Sequence, residues 1–97
     1  RAPVILIVGT EQGDTQLRTE ENRDAVSAGI QNILLGATSL GLASFWSSCP
    51  KGVNDDIANF CDFKPGTHIT AMIYLGYPQR QAPAIARPPV KIKTISN

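Results

Sequence analysis

The segment from Thr19 to Leu40 constrains this chain more than any other. Val26, Ile30, Ile33, Ala37 and Leu40 recur there at spacings of three and four, which draws one apolar stripe along an α-helix. At 1.5 Å of rise per residue that helix would span about 33 Å. A chain of 97 residues has room for one modest core, so every other element has to be arranged around it. Thr19 is the expected N-cap, Glu20 and Glu21 follow where negative charge suits the helix dipole, and Gly41 is the natural stop. Ala25, Leu34 and Leu35 widen the stripe, which predicts a central helix packed on more than one side.

The remaining elements are short. Val4 to Val8 is a continuous aliphatic run closed by Gly9, the pattern of a strand covered on both faces. A chain seldom opens straight into a buried strand, so a segment before Arg1 is expected. Thr10 to Arg18 is polar and aperiodic, a loop. Leu42 to Gly52 starts apolar and turns polar before Pro50, which suits a short strand running into a loop. Asn54 or Asp55 can cap a short helix through Ile57, Ala58, Phe60 and Cys61, and Lys64-Pro65-Gly66 is a turn. His68 to Tyr74 reads as a second buried strand, ended by Gly76 and Pro78.

Beyond Tyr77 the character changes. Pro78, Pro83, Pro88 and Pro89 exclude a helix and favour an extended path over residues 78–97. Val90 to Ile95 alternates with one apolar face and wants a sheet edge, which another subunit could offer. All eight acids lie in residues 1–63 with four basic residues, whereas Lys64, Arg80, Arg87, Lys91 and Lys93 follow with no acid. Such a tail can be a solvated arm, a phosphate-binding element or a contact to an acidic partner. Its charges are spread over some thirty residues without interleaved aromatics, which argues against nucleic acid.

Composition is that of an ordinary globular domain, with 42% hydrophobic and 18% charged residues and a net charge of +1. Two cysteines, Cys49 and Cys61, make no disulfide framework and no metal-type spacing; a reduced, cytoplasmic setting is expected. No apolar stretch reaches the length needed to span a bilayer. There is no phosphate-loop motif and no G-x-G-x-x-G after the first strand. The single histidine, His68, opens a strand and reads as structural, and Glu20-Glu21 and Asp55-Asp56 are explained by helix starts. Taken alone, Trp46 is core filling, Cys49 an inert thiol and Arg87 a solvated charge.

The order of segments shifts these readings. Ala2-Pro3-Val4-Ile5-Leu6-Ile7-Val8, then Gln31-Asn32-Ile33-Leu34-Leu35-Gly36-Ala37 running into Leu40-Gly41-Leu42-Ala43, then Tyr74-Leu75-Gly76-Tyr77-Pro78 and Arg87-Pro88, resembles the nitroreductase family over nearly the whole chain. The resemblance implies an α+β fold, a mixed sheet sandwiched by helices, with residues 1–97 forming one partial domain and residues 78–97 an arm. It implies an obligate homodimer whose arms embrace the partner, with FMN at the interface. NAD(P)H would pass hydride to flavin N5, and a nitroaromatic, quinone or similar small-molecule acceptor would take the electrons.

Carried over residue by residue, the resemblance places Ser47, Ser48 and Cys49 at the N5 edge of the flavin and Trp46 beside or behind the ring. Arg87 matches the basic residue that meets the FMN phosphate, a task suited to a guanidinium fork. Many relatives have glycine where Cys49 stands. The family's Arg-Arg-Ser-x-Arg-like motif has no counterpart here, so the N-terminal half of the same subunit is an expected partner. No catalytic side chain and no metal ligand are singled out. The alternative is a flavin-free dimerisation or binding subunit.

Overall fold

The computed structural model describes residues 3–80 and 83–96; Arg1, Ala2, Gln81, Ala82 and Asn97 lie outside the described residues. Five elements follow in order: β1 (Val4–Thr10), α1 (Gln16–Ser39), β2 (Ala43–Ser47), α2 (Asn54–Phe60) and β3 (His68–Gly76). The sheet runs β1-β3-β2, and both outer strands pair antiparallel with β3. The last strand in sequence is thus the middle one in space. This explains why His68–Tyr74 is the most apolar-buried run: Ile69, Ala71 and Ile73 are each almost inaccessible.

Strand alternation then divides the side chains between two faces. Leu6 and Val8 of β1 join Ala71, Ile73 and Leu75 of β3 under α1, where Ile30, Val26, Ile33 and Leu34 complete the core. Ile5 pairs with Tyr74, which in turn pairs with Phe45, so these three share the opposite face. That face is open: Ile5 is 45% and Phe45 65% exposed. The run from Val4 therefore is not covered on both faces within this chain, contrary to the sequence reading. It is an outer strand, and its aliphatic character serves one covered face and one bare one.

The central helix differs from expectation at its start and on its outer side. It begins at Gln16, a turn before Thr19, because the Thr15 hydroxyl accepts the Arg18 N–H at 3.0 Å and caps it. Thr19 is used otherwise: its hydroxyl accepts the Gly13 N–H at 2.9 Å and donates to the Thr15 carbonyl at 3.1 Å, which ties the preceding loop to the helix. Only Ile30 and Ala37 of α1 are buried, and Leu35 is 59% exposed, so α1 packs on one side here. Leu40 and Gly41 end it, the latter at φ +78°.

A bulge between Val8 and Gly9 shifts the β1–β3 register. It brings the buried Thr10 hydroxyl within 2.6 Å of that of Thr70. Asn54 does not cap α2, whose N-cap is Val53 without a side-chain bond. Instead the Asn54 amide donates to the Thr67 carbonyl at 2.9 Å, and its oxygen accepts the Ile69 N–H at 2.7 Å. This clamp holds the start of α2 against the start of β3. Residues 83–96 form neither helix nor strand, and Val90, Ile92 and Ile95 are 82–83% exposed. The strand expected over Val90–Ile95 finds no ladder among the described residues, and an isolated exposed strand has too little to hold it against solvation.

Candidate functional site

The end of β2 and the loop after it carry four of the five residues singled out in the sequence. Trp46 pairs with Ile73, so it lies on the α1 side of the sheet, 37% exposed. Ser47 pairs with Met72 on the other side, half-buried, and its hydroxyl donates to the Ser48 carbonyl at 3.3 Å. Ser48 is exposed and Cys49 half-buried, with the thiol 3.5 Å from the Pro50 carbonyl. Past the end of the ladder the backbone is free of sheet pairing. Among the described residues, the Cys49 N–H has no acceptor within the chain. Gly52, at φ +88°, then turns the chain into α2, a conformation that an L side chain would strain.

Ser48 and Cys49 open onto a cavity of about 450 Å³. Its walls come from four places in the sequence: Arg23 of α1, the loop Ser48–Gly52, Asn54 of α2, and His68, Ile69 and Thr70 of β3. The Asn54 clamp is what brings the last two walls together. His68, read from the sequence as structural, faces this space. Its pKa is lowered from the ordinary value of 6.5, first by desolvation and then by the positive charge of Arg23. Arg23 and Lys51 were not singled out from the sequence. Lys51 follows the Ser47–Cys49 segment closely enough to have been suspected, whereas nothing local marks Arg23, which lies on α1 far from that segment in sequence.

Trp46 and Ser47 do not line this cavity, and neither does Arg87, which is exposed on residues 83–96. Within one chain, then, Ser48 and Cys49 are brought together with new neighbours, and Arg87 is not brought to them. Among the described residues no group of three or more His, Cys, Asp or Glu side chains could hold a metal ion, and no helix is long and apolar enough to cross a membrane.

Comparison with known proteins bears on the fold. The model of the nitroreductase family matches residues 1–77. A nitroreductase-like family protein from Bacillus cereus, known from its crystal structure, superposes with a TM-score of 0.77 at 25% identity, over 91% of this chain and 47% of that protein. The chain thus spans about half the length of that relative. No curated protein matches the sequence.

Proposed function

Because the chain belongs to the nitroreductase family, we propose that it works as part of an FMN-dependent oxidoreductase, passing electrons from NAD(P)H to a nitroaromatic, quinone or similar acceptor. Membership suggests flavin-dependent oxidoreduction in general; donor, acceptor and cofactor identity are the proposed refinement. For a nitro acceptor the balance is NAD(P)H, a proton and the nitro compound going to NAD(P)⁺, the nitroso compound and water. FMN, when bound, supplies a two-electron carrier whose N5 edge gains negative charge on reduction.

The observation that carries this reading is the Cys49 N–H, without an acceptor among the described residues, in a loop that lines a cavity; the family resemblance implies that this loop flanks the flavin. That N–H would hold the developing charge of a bound flavin without reorganisation. With flavin bound, Ser47 and Ser48 would add hydroxyls near that edge, Trp46 would support the ring, and Arg87 would hold the phosphate from the arm. Assembly as a homodimer, with the remaining half of the subunit, accounts for the bare Ile5–Phe45 face and the exposed Val90, Ile92 and Ile95.

The test is titration of the purified protein with FMN, followed by quenching of flavin fluorescence. Arg87→Ala should weaken FMN affinity about 10- to 100-fold, the loss expected of a charge-assisted contact of about 1.5–3 kcal/mol. The oligomeric state by light scattering should stay unchanged. Equal affinity in that variant removes Arg87 from the phosphate site. A colourless protein that takes up no FMN leaves the flavin-free binding subunit, which the same exposed apolar residues would suit.

A further inference from the structure

The cavity beside Ser48 and Cys49 has a one-signed wall. Arg23, Lys51 and His68 line it, and no aspartate or glutamate does. Elsewhere the basic residues of the body find acids: Arg18 pairs with Glu21 at 3.4 Å and Lys64 with Glu11 at 3.6 Å. Among the described residues neither Arg23 nor Lys51 forms such a pair. Glu20 and Asp24 line a separate cleft that Arg23 also borders. The neutral polar groups of the wall are already engaged. The Asn54 amide is committed to Thr67 and Ile69, and the Thr70 hydroxyl bonds to that of Thr10. What the cavity offers a ligand is therefore chiefly cationic, with the Ser48 hydroxyl and the Cys49 N–H beside the two charges.

We propose that this cavity is an anion subsite, taking the carboxylate or phosphate of a small redox partner whose reactive part lies toward the Ser48–Cys49 loop. The inference rests on the flavin reading for the identity of that reactive part, but the anion site itself stands on Arg23, Lys51 and His68. The volume of about 450 Å³ suits a small-molecule site. Two cations with no acid in the same wall exert a field that an anion would relieve; desolvation first, and the charge of Arg23 second, lower the His68 pKa there.

His68 is the only histidine in the chain, so its ring protons report on the cavity without ambiguity. Sodium benzoate and inorganic phosphate are titrated separately into the purified protein, with NMR detection of His68. A saturable shift, with an upward move of the His68 titration midpoint, is expected for at least one of them. Benzoate alone assigns the site to carboxylates, phosphate alone to phosphate esters. Arg23→Gln and Lys51→Gln should each weaken that response about fivefold, as for one partly exposed ionic contact. Both residues are exposed, so the variants should keep the fold, which circular dichroism checks. FMN affinity is measured on the same samples and should not change. With flavin bound, the KM for 4-nitrobenzoate should rise in both variants while that for nitrobenzene holds. A His68 signal indifferent to both anions, or one whose response survives both substitutions, overturns the subsite. So does a parallel loss of FMN affinity, which would make the cavity the flavin's own. Absent FMN uptake with an intact, Arg23-dependent His68 response instead rejects the flavin reading and upholds the anion site.

Discussion

Asn54→Ala should be the most costly single polar change in this molecule, because one side chain closes two bonds between α2 and β3. The amide nitrogen lies 2.9 Å from the Thr67 carbonyl and the amide oxygen 2.7 Å from the Ile69 N–H. Each such bond contributes a net of about 1 kcal/mol. For the second, removing the acceptor strands the N–H of Ile69, a residue that is 2% exposed, which makes its loss about 1–3 kcal/mol instead. The expected loss is about 3 kcal/mol, a large part of the stability that a small domain possesses. In urea titration followed by circular dichroism the midpoint should fall by about 1–2 M at unchanged slope. The wall joining Asn54 to His68 and Ile69 should loosen too, with faster amide exchange at Ile69. A loss under about 0.5 kcal/mol would refute the clamp, for it would mean that water satisfies the Ile69 N–H as well as Asn54 does.

Three further perturbations test the packing and the charge. Ile30→Ala removes the α1 contribution to the buried cluster with Ala71 and Ile73 and should cost about 2–5 kcal/mol by chemical denaturation. Gly9→Ala sets a Cβ 2.6 Å from Thr67 Cγ2 and 3.0 Å from the Phe63 ring, and should destabilise by about 1–3 kcal/mol unless both side chains withdraw, which the denaturation midpoint reports. Since the folded state lowers the His68 pKa below 6.5, the unfolded chain binds the proton more readily; the resulting stability is present above pH 6.5 and is lost as pH falls through the lowered value. His68→Gln should flatten that part of the stability-against-pH profile, and parallel profiles for the two proteins would exclude the effect.

Much of the local structure was legible in the residues themselves. Periodicity alone marks α1 from Val26 to Leu40, Lys64-Pro65-Gly66 turns where expected with Gly66 at φ +86°, and three apolar runs become three strands. Propensity and period act over a few residues, so these features follow from short-range chemistry. The errors also have physical causes. Thr15 and Thr19 are both able to cap a helix, and only the bond from Gly13 to Thr19 decides that Thr19 ties the loop while Thr15 starts the turn. Asn54 likewise has the right chemistry for a cap, but the Ile69 N–H competes for it across fifteen residues.

Local residue chemistry therefore settled which segments could be helix or strand, which family they compose, and that Ser48 and Cys49 lie where an apolar strand gives way to a polar loop. Tertiary structure decided that β3 lies between the earlier strands, which sheet face is bare, and that Arg23, Lys51 and His68 share one cavity. The reason is range. A hydrogen-bonding or apolar preference is a property of a residue and its near neighbours, whereas a cavity wall assembled from α1, a loop and β3 exists only after strand pairing and core burial have brought distant positions together.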